Sequence, residues 1–244
     1  MTPALNHRLK ALRLSGLAHT LPVRLQEAAA GRLSHLEFLE LILQDEEIVR
    51  QNRTRDRRIA AAGFRETRRL DTFDWSFNPK IDRKAIYDLA AGRYLDEARD
   101  VLFVGPPGVG KSHLAQALGQ EAILQGRTVR YRSIFELVAD LMEAEAVETS
   151  PRILNAYLKP DLLIIDDMGI KQLPKRSGEY LFEIVMRRYE VRSTLMTSSR
   201  PIGDWGKLIG DGPAAGAILD RFLHRATILD MPGRSYRLKN RAAT

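Results

Sequence analysis

The sequence contains no cysteine, which rules out disulfides and thiolate metal sites and favours an intracellular, cytoplasmic address over a secreted one. It also lacks any apolar run near the roughly 18 residues that suggest a membrane span. The opening Met-Thr-Pro-Ala-Leu-Asn-His has no apolar core of a signal peptide, so no membrane partner is expected. The five histidines (7, 19, 35, 113 and 224) have no metal-ligand spacing and read as structural. Neither an internal repeat nor a low-complexity tract interrupts the chain.

What is present is a 244-residue chain with 44% apolar residues, enough to bury a sizeable core. The net charge of +7 favours a polyanionic partner, and its distribution says more. Between Arg50 and Arg69, eight arginines face only Asp56 and Glu66, a net +6. Residues 232–244 hold Arg234, Arg237, Lys239 and Arg241 without an acid. The basicity is therefore concentrated in two places, and the remainder is slightly acidic.

The first 69 residues predict a small all-helical domain, because apolar residues recur at helical spacing. Leu5, Leu9 and Leu12 make a short helix ending near Gly16, and a second runs from about Thr20 to Ala30. A third begins at the capping box Ser34-x-x-Glu37 and continues to Gly63. It directs Leu36, Leu39, Ile42, Leu43 and Val49 toward a core. Its second half is basic: Arg50, Arg53 and Arg57 share one face, with Arg58 beside them, and so few acids stand nearby that contact with DNA phosphates is the expectation. Residues 70–81, polar and aromatic with a proline, read as a linker. From 82 to 244 a helix is followed by β-branched runs alternating with helices, the pattern of an α/β parallel sheet. The strand candidates are 101–104, 128–131, 162–165, 193–197 and 226–229.

Gly105-Pro106-Pro107-Gly108-Val109-Gly110-Lys111-Ser112 fits G-x-x-x-x-G-K-[ST] between a strand and a helix, the context a P-loop requires. Its backbone N–H groups would cradle the phosphates of ATP, Lys111 would reach the β- and γ-phosphates, and Ser112 would ligate Mg2+. Leu162-Leu163-Ile164-Ile165-Asp166-Asp167 is a Walker B pattern. In it, Asp166 would hold the magnesium, directly or through water, and Asp167 would polarise the attacking water. The polar residues at the strand tip, Thr197-Ser198-Ser199, could sense the γ-phosphate or cap a strand end that enters a proline turn. In the helical stretch 217–225, Arg221 is a candidate arginine finger for a neighbouring subunit, with Arg225 four residues on. Arginines at that place also complement a helix C-terminus.

Together with Trp205-Gly206, Ile218-Leu-Asp-Arg-Phe-Leu-His-Arg-Ala226 and Ser235-Tyr-Arg-Leu238, these motifs resemble the IstB-like ATPases, transposition helpers of bacterial insertion sequences related to the DnaC helicase loader. The resemblance implies an AAA+ ATPase that forms a homo-oligomer on double-stranded DNA when ATP is bound and assists the transposase of the same insertion sequence. It assigns the γ-phosphate sensor to Ser199 and the arginine finger to Arg221. A replicative helicase loader is the alternative reading of the same core; a metabolic P-loop enzyme would leave the basic helix unexplained. Only residues 230–244 follow the last strand candidate, leaving little or no room for a C-terminal helical lid.

Overall fold

A computed structural model describes residues 2–31, 33–174, 176–210 and 212–239. The chain divides into two compact units, Met1–Arg57 and Arg58–Thr244. The division falls within a helix rather than near residue 70. Ile59, Ala62, Leu70, Phe73, Trp75 and Ile81 all pack into the core of the larger unit, so the aromatic segment 70–81 is part of that unit's surface layer.

The smaller unit consists of α1 (Pro3–Ala11), α2 (Ser15–Ala29) and most of α3 (His35–Ala62). Gly16 does not stop a helix. It lies in the first turn of α2, and the chain reverses at Arg13, whose φ is 57°. Leu9, Leu17, Leu21 and Ile42 form the core, joined by Leu14, Ala18 and Phe38. The expectation that Leu36, Leu39 and Leu43 turn inward fails: they are 66%, 48% and 53% exposed. Two short helices cover only one narrow stripe of α3, and that stripe runs through Phe38, Ile42 and Glu46. Buried Glu46 accepts hydrogen bonds from the N–H groups of Gly16 (2.7 Å) and Leu17 (3.0 Å), capping α2 with a carboxylate where the helix dipole favours one. The capping box at α3 is formed as expected, with Ser34 N–H donating to Glu37 at 2.7 Å and Glu37 N–H to Ser34 Oγ at 3.3 Å.

In the larger unit, five parallel strands are ordered β2-β3-β4-β1-β5: β1 (Val101–Val104), β2 (Val129–Ser133), β3 (Leu162–Met168), β4 (Ser193–Ser198) and β5 (Thr227–Asp230). Their side chains alternate between faces. Val101, Phe103, Leu162, Ile164 and Leu195 join the layer of α4 (Arg83–Ala90) and α6 (Lys111–Leu124). Leu102, Leu163, Ile165 and Met196 join the opposite layer, built by α7 (Ile134–Ala146), α8 (Ser150–Leu158), α9 (Ser177–Arg188), α10 (Trp205–Ile209) and α11 (Gly212–His224). Burial on both faces explains why the central strands are continuous apolar runs. α5 (Arg93–Asp96) is a single turn before β1.

At the bottom of the sheet Asp100 ties three strands together. Its Oδ1 accepts from Thr194 N–H at 2.7 Å and its carbonyl from Thr227 N–H at 2.9 Å. Burial pushes its carboxyl up to about 7, opposed by the Thr194 N–H and by Arg188. Buried Arg188 itself donates to the carbonyls of Tyr157, Leu158, Pro160 and Ser193, so its polar edge is fully engaged. After β5 the chain forms one 3-10 turn, Tyr236–Leu238, as the last regular element among the described residues. Arg241, part of the C-terminal basic cluster, lies outside them. No helix among the described residues is long and apolar enough to cross a membrane.

Candidate functional site

The loop between β1 and α6 wraps back over the helix N-terminus because two of its residues occupy backbone space that side chains avoid. Gly108 and Gly110 have φ of 83° and 111°. A Cβ on Gly108 would meet Ser235 Oγ at 2.1 Å, and one on Gly110 would meet the Phe73 ring at 2.5 Å. Pro106 and Pro107 stiffen the loop entry. Val109 is buried in the core, which anchors the loop from below. Gly105 N–H donates to Ser198 O at 3.1 Å, tying the loop to the tip of β4.

Beside this loop is a cavity of about 370 Å³. Lys111, mostly buried, reaches into the loop and donates to the carbonyls of Gly105 (2.7 Å) and Pro106 (2.8 Å). Burial brings its ammonium down to about 8; Asp166 and Asp167 oppose that shift and Arg237 adds to it. The next residue, Ser112, donates its hydroxyl to Asp166 Oδ1 at 3.0 Å. Asp166 also accepts from Thr197 Oγ1 on the same oxygen and from Tyr131 OH on the other. Three hydroxyls from α6, β4 and β2 therefore converge on one buried carboxylate.

Asp167 takes a different course. Its φ of 68° and an irregularity in the β3–β4 register swing it out of the strand's alternation. Its side chain thereby lines the cavity. Burial pushes its carboxyl up, Asp166 adds to the rise, and Arg65 opposes it through a 2.9 Å ion pair. Among the described residues no cluster of three or more His, Cys, Asp or Glu side chains could hold a metal. One hydroxyl and one carboxylate 3.0 Å apart at a phosphate-binding loop is instead the sparse donor set that suits Mg2+, which takes most of its ligands from phosphate and water.

Other expected site residues are not brought here. Ser199 lies just past β4, its N–H donating to Met168 O at 2.8 Å, and its side chain is not part of the cavity wall. Thr197, two residues earlier, is the β4 residue that touches both acids, through its bond to Asp166 and by accepting the Asp167 N–H at 3.2 Å. Trp205 donates to Ser198 Oγ at 3.3 Å and is fully buried, so that motif secures the strand tip. Arg221 points outward from α11, pairs with Asp220 at 3.1 Å and lies 5.7 Å from the centre of the Tyr189 ring, while Arg225 pairs with Glu190 at 3.5 Å.

Of the basic run, Arg50 pairs with Glu46 at 2.7 Å and Arg53 donates to Ser15 Oγ at 2.6 Å. Arg57 is exposed and Arg58 half-buried.

Sequence reasoning missed the residues contributed from far along the chain. Arg237 and Tyr236 reach the cavity because the C-terminal segment folds over the loop. Tyr236 N–H donates to Gly108 O at 2.9 Å, and Asn78 holds Arg234 through two backbone contacts of 3.0 Å. Phe77 and Tyr236 meet edge to face at 5.1 Å. The Ser-Tyr-Arg-Leu motif was the available signal for Arg237. For Arg65, Tyr131 and Phe73 there was none.

A five-stranded parallel sheet in this order, with the loop, Ser112, Asp166 and Asp167 at its C-terminal edge, defines a P-loop nucleotide-binding domain of the AAA+ type. Solved structures agree with the fold. The DnaC helicase loader superposes with a TM-score of 0.53 at 22% identity, covering 61% of this chain and 86% of that one. AMPPCP-bound DnaA from Aquifex aeolicus gives 0.56 at 24%, covering 67% and 50%. Residues 7–244 match the family of IstB-like ATP binding proteins, and the chain belongs to that family. It is 35% identical over 230 residues to the ATP-binding protein of insertion sequence IS5376 from Geobacillus stearothermophilus, covering 94% of this chain and 92% of that one. It is 36% identical over 233 residues to that of IS21 from Pseudomonas aeruginosa, covering 96% and 88%.

Proposed function

We propose that this chain is a Mg2+-dependent ATPase that assembles on double-stranded DNA as a homo-oligomer and assists the transposase of its insertion sequence. The observation that carries the ATPase reading is the Ser112–Asp166 contact beneath the loop, with Asp167 displaced toward the cavity beside it. Ser112 and Asp166 would hold the ion, which when bound neutralises charge on the phosphates. Lys111 exchanges its two carbonyl contacts for the β- and γ-phosphates, whose charge restores its preference for the ammonium form. Asp167 orients and polarises the attacking water. Thr197 keeps the two acids in register, and Arg237 adds a cation to the cavity wall. Arg221 lies away from its own cavity and serves the site of a neighbouring subunit.

The DNA and transposase parts rest on the arginines of α3 and on kinship with insertion-sequence proteins. Sedimentation on random-sequence duplex DNA with ATP, ADP or no nucleotide tests the assembly. Large complexes should form with ATP alone and be absent for Lys111→Ala, whereas Asp167→Asn should assemble and fail to disassemble. Assembly indifferent to nucleotide and DNA would overturn this reading. Recovery of the complexes with the transposase, and not with a replicative helicase, separates the two candidate partners.

A further inference from the structure

Arg65 belongs to the arginine-rich run by sequence, yet it faces the nucleotide cavity. Its Nη1 lies 2.9 Å from Asp167 Oδ2 and its Nη2 3.5 Å from Glu136, and its guanidinium stands 5.9 Å from the centre of the Tyr131 ring. The backbone behind it is pinned: Gln116 on α6 accepts from the N–H groups of both Arg65 (3.0 Å) and Glu66 (3.2 Å) through one oxygen. The amide nitrogen of the same Gln116 donates to Ser112 O at 3.2 Å. The segment that follows α3 is thus fastened to α6, the helix that begins at the P-loop lysine.

A carboxylate that must orient a water needs its oxygens aimed at that water. The ion pair engages Oδ2 and fixes the carboxylate against Arg65 rather than against a water. We propose that Arg65 is a positioning residue that latches Asp167, keeping intrinsic ATP turnover slow until the 63–66 segment releases it. The latch rests on the ATPase reading above and deepens it, since hydrolysis becomes conditional on the segment that continues α3.

The test is steady-state ATP hydrolysis by the full chain at saturating Mg2+ and ATP, with Arg65→Gln, Arg65→Ala, Arg65→Lys, Asp167→Asn and the double variant R65Q/D167N. Loss of one partly exposed ion pair should raise kcat about fivefold in Arg65→Gln and Arg65→Ala, with KM for ATP within about twofold of wild type. Arg65→Lys, which keeps a cation but not the fork, should fall between them and wild type. The double variant should be as slow as Asp167→Asn, because the gain passes through that carboxylate. A merely structural arginine would give lower kcat and a lower Tm on removal, never a faster enzyme. The latch is refuted if kcat in Arg65→Gln stays at or below wild type while Asp167→Asn is slow, or if the gain survives in the double variant. If Asp167→Asn hydrolyses ATP as wild type does, the ATPase assignment of Asp167 falls first and the latch with it.

Discussion

Tyr131, in the middle of β2, donates its hydroxyl to Asp166 Oδ2 at the far end of β3, so the ring of a core residue doubles as the support of an acid in the site. The phenol is held strongly protonated, by burial first and by Asp166 next, and it therefore acts as a donor throughout the working pH range. With Ser112 and Thr197 on the other oxygen, Asp166 has few rotamers left.

Removing that donor should loosen the proposed Mg2+ site while leaving the core intact. Tyr131→Phe keeps the ring that packs against Phe64 and removes one hydrogen bond to a charged acceptor, about 1.5 kcal/mol or roughly tenfold. The expected outcome is a higher Mg2+ requirement for nucleotide binding, read by titrating Mg2+ against a fluorescent ATP analogue. An unchanged midpoint would mean that Ser112 and Thr197 suffice.

Arg221 offers a complementation test. Arg221→Ala has an intact cavity and lacks the proposed finger, whereas Asp167→Asn keeps Arg221, still assembles and lacks the proposed catalytic acid. Each alone should be inactive in oligomers, and mixing them should restore part of the turnover, because one subunit then completes the other's site. If Arg225→Ala rather than Arg221→Ala shows this pattern, the finger lies four residues further along α11.

The arginines of α3 are not equivalent. Arg50 is paired with buried Glu46, whereas Arg57 is exposed. Replacing Arg53 and Arg57 by alanine should weaken duplex binding and reduce the slope of log K against log salt by about one unit per lost phosphate contact. Fluorescence anisotropy across a salt series measures it. A slope equal to wild type would move the DNA surface elsewhere.

Asp100 should make stability pH-dependent. Its folded carboxyl is raised to about 7 from an ordinary 3.8, so the folded state holds the proton that the unfolded chain gives up. That contribution is complete below pH 4, declines as pH rises and is gone above about 7. Asp100→Asn keeps an acceptor for Thr194 N–H and cannot ionise. Relative to wild type it should gain on the order of 3 kcal/mol between pH 4 and 7, read from urea midpoints at several pH values. A difference that does not vary with pH would show that Asp100 is ionised in the fold.

Much of this architecture was legible in the residues. The five strand candidates lie within three residues of the observed strands at either end, because continuous apolar runs between helices admit little else than buried parallel strands. The loop and the two acids of β3 were equally plain as a pattern, since they are consecutive residues whose spacing the backbone dictates. Helix faces in the small unit were not. Leu36, Leu39 and Leu43 satisfy helical periodicity as well as Phe38 and Ile42 do, and which stripe is covered depends on where α1 and α2 lie.

The sequence by itself determined that the chain carries a phosphate-binding loop, a strand ending in two acids, and a helix with a basic second half, because each is written in neighbouring residues. Only the tertiary structure decided what stands around the two acids. Tyr131 and Thr197 reach Asp166 through strand order, Arg237 reaches the cavity through a C-terminal return, and Arg65 leaves the arginine run to pair with Asp167, 102 residues away in sequence. Periodicity and motif spacing report what happens within a dozen residues; a hydrogen bond between distant segments depends on the packing that brings them together.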